Sequence, residues 1–223
     1  PSAVGATIAT SATVPPGAGG VRHVIHLEGR LSVQAALDVG KRTIESILVG
    51  EGAKEGKFDE VLAAATKKGV PIRRVPAAEL DGMAHAKTHG GLIAICTARE
   101  PDSASILEPI LIAKEPPFLL LLEGVDDARN FGGVLRTAEA LGVHAVLLRK
   151  RDWDFDETDV MRASSGAFER LKIVKVERED GLLEKLRERG LAIWACIANA
   201  RRSIWQVDLR KPLVLAVGGE KRG

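Results

Sequence analysis

The sequence predicts an α/β protein of two units, a small N-terminal α/β domain followed by a domain built on a parallel sheet. Three observations carry that prediction. From residue 118 onward short apolar runs alternate with amphipathic stretches, the rhythm of βα units, whose strands pair in parallel under helices on both faces. Ahead of that rhythm Pro101, Pro109, Pro116 and Pro117 crowd one stretch, and proline-rich composition between two patterned blocks marks a boundary. The 223 residues are 45% hydrophobic and 28% charged, the balance of a globular chain that buries a sizeable core.

Taken in order, residues 1–20 are rich in Ala, Thr, Pro and Gly and lack the positive and apolar regions of a secretory signal, so a disordered tail is expected. Residues 21–99 form the first domain, with helices over 32–39 and 58–68 and strands over 44–49 and 91–97. Residues 100–116 form a linker whose middle, 103–113, has a helical stretch. Residues 117–223 form the second domain. Its strands fall at 118–123, 145–149, 172–176, 191–197 and 213–217, its helices at 131–141 and 181–189. In open parallel sheets ligands bind beyond the carboxyl ends of strands, where segments 124–133, 198–203 and 218–223 are polar or glycine-rich.

Several function classes drop out. No apolar run nears the roughly 18 residues that cross a bilayer, so no membrane partner is expected. The longest, 191–198, has the length of a buried strand, with Trp194 inside it; Trp153 and Trp205 leave base stacking and burial both open. Cys96 and Cys196 each sit in an apolar run and read as small core residues, which demands no oxidising compartment; a cytoplasmic setting is expected. His85 and His89 have i, i+4 spacing without an accompanying Glu or ligand cluster, so no metal is expected. No Gly-x-Gly-x-x-Gly follows a first strand and no P-loop occurs, which disfavours a Rossmann-like nucleotide enzyme. The net charge of +2 decides nothing. Arg149-Lys150-Arg151, Arg22, Arg30, Arg129 and the pair Arg201-Arg202 are candidate phosphate contacts, against the plainer reading of solvated charges.

The segment from Glu123 to Ala140 concentrates the chemistry. A strand enters a loop, Asn130 suits the cap of the next helix, and Gly132 and Gly133 permit close backbone approach. Arg136 lies about a turn and a half further on, placed to point back at the loop. Alone, this is equally a capped helix with a surface arginine. The pattern Asn130-x-Gly132-x-x-x-Arg136-Thr137-Ala138, however, resembles motif 1 of the SPOUT ribose methyltransferases of the TrmH (SpoU) branch. Leu215-Ala216-Val217-Gly218-Gly219-Glu220-Lys221-Arg222-Gly223 is similar to their motif 2, a strand followed by a Gly-x-Glu-x-x-Gly loop. Arg162-Ala163-Ser164-Ser165-Gly166-Ala167 resembles the stretch of small residues between them. In the first block, residues 28–37 and 89–94 are similar to the two ends of the family's L30e-like substrate-binding domain. The likeness covers residues 21–223.

The resemblance implies an S-adenosylmethionine-dependent RNA 2′-O-methyltransferase with a SPOUT α/β-knot domain. It acts on RNA, with rRNA favoured over tRNA because of the N-terminal domain, and as a homodimer. Arg136, Asn130 and Glu220 are then the catalytic set. Val217, Gly218 and Gly219, with Ile197 and Ala198 at the neighbouring strand end, wall the cofactor pocket. Arg30, Arg129, His89, Arg149 and Arg151 are the RNA contacts. A guanidinium with a pKa above about 12 is a poor base, so Arg136 is expected to grip a phosphate and support the developing alkoxide. Asn130 orients the loop or the ribose, and Glu220 holds the motif 2 loop or Arg136. The family's motif 3, a Ser-Leu-Asn-rich turn opening a C-terminal helix that closes the trefoil knot, does not occur before Gly223; the natural protein is expected to continue past that residue. The alternative is a non-catalytic RNA-binding protein that keeps the architecture.

Overall fold

A computed structural model describes residues 24–54, 56–85, 89–149, 153–177 and 179–219. The N-terminal unit comprises β1 (Val24–Glu28), α1 (Arg30–Val39), β2 (Ile44–Gly50), α2 (Asp59–Lys67), β3 (Ile72–Val75), α3 (Ala77–Met83) and β4 (Leu92–Thr97). Its sheet runs β1-β4-β2-β3; β1 and β2 lie antiparallel to β4, and β3 pairs parallel with β2. Sequence reading passes over β1, β3 and α3. The strand β3 reads Ile-Arg-Arg-Val, has four residues and exposes three of them, so it shows no apolar period.

The second unit holds β5 (Phe118–Leu122), α5 (Ala128–Ala140), β6 (Ala145–Arg149), α6 (Glu157–Ser164), α7 (Ala167–Arg170), β7 (Ile173–Val176), α8 (Leu182–Glu188), β8 (Ala192–Cys196) and β9 (Leu213–Val217). Every strand pair is parallel, in the order β7-β6-β5-β9-β8. The chain winds outward from β5 through β6 to β7, then crosses to build β8 and β9 on the other side. The topological switch point, where parallel sheets open a ligand crevice, therefore lies between β5 and β9.

Three expectations change. Residues 100–116 carry the helical stretch expected within 103–113, a 3-10 turn (Ala104–Leu107) followed by α4 (Glu108–Leu111), but the segment read as a linker is packed: Leu107 and Ile110, three apart, are buried against Leu119, Leu121 and Leu147. Asp102 pairs with Val174 beside β7, so this segment is part of the second unit. The run 191–198 is not a buried strand: β8 is an edge strand, Trp194 is half-buried, and Ala195, Cys196 and Ile197 are exposed. Cys196 is thus not a core residue, whereas Cys96 is. Apolar composition specifies burial only when something covers the strand.

One continuous apolar cluster joins the two units, from Leu27, Val33, Ala36 and Leu37 through Phe131 and Leu135 to Leu120, Leu122 and Leu148. Within it α5 packs closely on α6. A Cβ on Gly132 would stand 2.6 Å from the Ala163 Cβ and 2.7 Å from the Val160 carbonyl oxygen, so the approach requires glycine.

Candidate active site

The site assembles where two loops leave the sheet at the switch point. Beyond β5 the chain turns at Gly124 with φ +74°, and beyond β9 it passes through Gly218 and Gly219. The two loops touch backbone to backbone: a Cβ on Gly219 would overlap Gly124 outright. The Glu123 N–H donates to the Val217 carbonyl at 3.3 Å, extending the β5–β9 ladder into the loops. The loop that leads from β5 into motif 1 and the loop of motif 2, about 90 residues apart in sequence, are therefore in direct contact, because their strands are neighbours.

The helix α5 opens differently from expectation. Its N-cap is Asp127, whose Oδ1 accepts from the main-chain N–H of Arg129 (2.8 Å) and Asn130 (3.0 Å); Asn130 is the third residue of the helix. A carboxylate at N-cap satisfies orphan N–H groups and meets the positive end of the helix dipole, so Asp127 displaces Asn130 from the cap. Those N–H groups, Asn130's first, hold the Asp127 carboxyl below its ordinary pKa. Phe131, Leu135 and Ala138 bury one side of α5, while Arg129, Asn130, Arg136 and Thr137 are exposed. Arg129, Gly133 and Arg136 are spaced i, i+4, i+7 and form one stripe, open at Gly133, where a Cβ would meet nothing within 4 Å among the described residues. Arg129 stands 3.6 Å from Asp127; Arg136 has no ion pair among the described residues.

A cavity of about 820 Å³ opens at the carboxyl ends of β8 and β9. Its walls include Trp194, Cys196, Ile197, Ala198 and Leu215, with Arg201 and Arg202 at the side. In a parallel ladder paired residues point to the same face, and Trp194 pairs with Leu215. Leu215 packs with the α5 cluster, so the cavity opens on the α5 side of the sheet. Of the expected pocket residues, Ile197 and Ala198 line this cavity. Val217, Gly218 and Gly219 sit one strand end away, between it and Gly124. The space is large enough for a nucleoside-sized ligand.

The expected RNA contacts scatter. Arg30 is exposed at the start of α1, 3.3 Å from Glu60. His89 is buried nearby. Its Nε2 stands 3.0 Å from Asp81, and its Nδ1 accepts the Gly91 N–H, which shapes the turn into β4. Arg149, at the end of β6, is largely covered and lies 3.5 Å from Glu123. Trp153 packs between Arg99, Lys175 and Phe168, and Trp205 is exposed on the 3-10 turn Ile204–Gln206. Glu220 and Arg151 lie outside the described residues. Asp127 is the site residue that sequence reading missed; the signal was its place just before Ala-Arg-Asn, where a carboxylate at N-cap competes well with an asparagine.

Comparison with known proteins identifies the family of each unit. Residues 117–223 match the SpoU rRNA Methylase family, and residues 26–102 match the RNA 2′-O ribose methyltransferase substrate-binding family. The chain is 34% identical to the 23S rRNA (guanosine-2′-O-)-methyltransferase RlmB of Pseudomonas putida over 194 residues, 86% of this chain and 77% of that protein. It is 32% identical to YacO of Bacillus subtilis, assigned to the TrmH family of tRNA/rRNA methyltransferases, over 82% of this chain and 73% of that one. A crystal structure of an RNA 2′-O ribose methyltransferase superposes with a TM-score of 0.71 at 28% identity, covering 91% of this chain and 74% of the other. With motif loops in contact at the switch point and a substrate-binding domain ahead of them, the chain belongs to the SpoU family of RNA 2′-O-methyltransferases, enzymes that take their methyl group from S-adenosylmethionine.

Proposed function

We propose that the chain methylates a ribose 2′-OH in ribosomal RNA, in preference to tRNA. The observation that carries this reading is the contact of Gly124 with Gly219, which brings the loop leading into α5 against the loop after β9. The cavity fits S-adenosylmethionine in size, and its apolar walls, Ile197 and Leu215 among them, suit an adenine ring. Ile197 and Ala198 would hold the adenosine, and the main chain of Val217 to Gly219 would close the side toward α5. The bound cofactor supplies an electrophilic methyl group.

The chain's own residues bind and orient the other reactant. Arg136 grips the phosphate beside the target ribose, and its charge stabilises the alkoxide that develops on the 2′-oxygen. Arg129, on the same stripe, takes a neighbouring phosphate, and Asn130 orients the ribose. Glu220 holds the β9 loop or Arg136, and Arg149, paired with Glu123, braces the strand ends. In the N-terminal domain Arg30 faces the RNA, while His89 keeps the adjoining turn in shape. The likeness to the 23S rRNA enzyme over most of both chains, with a substrate-binding domain in front, supports the ribosomal substrate. The same family likeness supports a cytoplasmic homodimer with a knotted catalytic domain and no metal.

The test pairs calorimetric titration of S-adenosylmethionine with methyl transfer to a 23S rRNA transcript and to bulk tRNA. Arg136→Ala should bind the cofactor like the wild type and lose about a hundred- to a thousand-fold in kcat. Wild-type turnover by Arg136→Ala, or faster methylation of tRNA than of rRNA, would sink the reading.

A further inference from the structure

The two domains meet over a buried set of charges that methyl transfer does not use. Arg42, just before β2, has a fully buried side chain. Its Nε donates to Glu169 Oε1 at 2.6 Å, and its Nη1 donates to Glu157 Oε2 at 2.5 Å and to the Thr97 carbonyl at 2.9 Å. One planar fork thus spans α6 and α7 of the catalytic domain at once. At the end of the first domain the Arg99 main-chain N–H donates to the Glu157 carboxylate at 3.0 Å. The Arg99 Nη2 donates to Asp102 and to the Leu171 carbonyl, and its guanidinium lies 4.8 Å from the centre of the Phe168 ring. Lys41 Nζ also reaches Asp102 and the Leu171 carbonyl. Lys41, Arg42 and Arg99 face Asp102, Glu157 and Glu169, so the signs balance.

This joint is poorly explained as a device for stability alone. Arg42 Nη2, Arg99 Nε and Nη1, and Glu169 Oε2 are buried with no hydrogen-bond partner among the described residues, and packed apolar side chains in their place would cost less desolvation. What such a set does provide is a single orientation: turning one domain against the other in the closed joint would leave buried charges without their partners. A lever arm adjoins the joint. Beside the joint, Thr158 of α6 donates to the His26 carbonyl of β1 at 2.9 Å, and Arg162 lies 3.8 Å from Glu28 at the end of β1. The turn after α6 fits against α1, since a Cβ on Gly166 would stand 2.7 Å from the Ala35 Cβ. The other side of α6 packs on α5 at Gly132. One short helix is therefore the shared wall between the strand that leads to Arg30 and the helix that carries Arg136.

We propose that Arg42, clamped by Glu157 and Glu169, and Arg99, held by Asp102 and the Leu171 carbonyl, are positioning residues that hold the RNA-binding domain at one fixed distance from Arg136 and thereby select the nucleotide that is methylated. This rests on the reading of the chain as an RNA methyltransferase. The domain acts as a ruler: RNA gripped at the Arg30 end presents one ribose to Arg136.

The test uses the full chain and two transcripts, 23S rRNA and a short hairpin carrying only the methylated nucleotide and its stem. The charge-free variant Arg42→Met/Glu157→Leu/Glu169→Leu should bind S-adenosylmethionine like the wild type and keep kcat on the hairpin. On 23S rRNA it should lose about ten-fold in kcat/KM through KM and spread methylation to neighbouring riboses. Arg42→Lys, which keeps the charge without the fork, should fall between. A purely structural joint would lower both substrates together, so equal losses, or an unchanged methylation map and KM, would overturn the proposal. A second measurement leaves the joint itself unaltered: spin labels at Lys67→Cys and Glu184→Cys, with Cys196→Ser, should give one narrow distance that high salt leaves unchanged, and a broad distribution overturns the ruler. Should the wild type methylate no RNA, the methyltransferase reading fails, while the distance measurement still reports on the joint.

Discussion

Gly132 and Gly133 are adjacent in α5 and are required for opposite reasons. Gly132 faces α6, where a Cβ would meet a backbone oxygen and a methyl group that cannot both move; Gly133 faces open space. Gly132→Ala should destabilise the protein by about 1–3 kcal/mol through overpacking. Gly133→Ala should stabilise it by about 0.5–1 kcal/mol by helix propensity while placing a methyl group in the path of RNA between Arg129 and Arg136. Thermal melts of the two variants should move in opposite directions. The cysteines make a second contrasting pair. Burial pushes the Cys96 thiol up to about 12, outweighing the nearby Arg42 charge, so it stays protonated and covered, whereas Cys196 lies open in the cavity wall. A thiol reagent should modify one cysteine in the native chain and two in denaturant, and S-adenosylmethionine should slow the first reaction. Modification at an unchanged rate with saturating cofactor would place the cofactor elsewhere. The pattern of both cysteines in apolar runs was legible; which run is covered was not.

Helix α5 was readable as an element because its apolar residues recur with helical period, and its stripe follows from counting seven residues from Arg129 to Arg136. Its first turn was misread, since Asp127 and Asn130 both suit a cap and only the observed hydrogen bonds choose between them. If the stripe docks on phosphates, log K for RNA should fall linearly with log salt, and Arg129→Ala should reduce that slope by about one. Filter binding over a salt series reads it; an unchanged slope removes Arg129 from the interface. β8 shows the reverse limitation. Its sequence is as apolar as that of a central strand, yet the crossing order of the sheet leaves it at the edge with Trp194 half-buried.

At the scale of the whole molecule, the apolar cluster and the charged joint both cross the domain boundary and couple the two units. A single calorimetric transition is expected; two resolved transitions would contradict it. The joint also sets an acid limit. Burial works against ionising Asp102, but hydrogen bonds from Lys41 and the Ile173 N–H and the charge of Arg99 outweigh it, so its carboxyl titrates below the ordinary value. A carboxyl depressed in the folded state contributes stability that is present above its unfolded pKa, about 3.9, and lost as pH falls through the lower folded value. Stability should therefore fall on acidification below about pH 4, and Asp102→Asn should flatten that fall. An unchanged acid profile in Asp102→Asn would show that other carboxyls govern it.

By itself the sequence determined the α/β class, the parallel sheet, the two motif loops and the family, because local periodicity and short glycine-anchored patterns are written in consecutive residues. Tertiary structure alone decided that the motif loops touch at Gly124 and Gly219, that Asp127 caps α5, that β8 is an edge, and that the proline-rich segment folds onto the sheet. It also decided that Arg42 and Arg99, two arginines with no motif around them, lie buried between domains. Strand order and burial depend on contacts between residues tens of positions apart, and no local pattern encodes which distant carboxylate a buried arginine will meet.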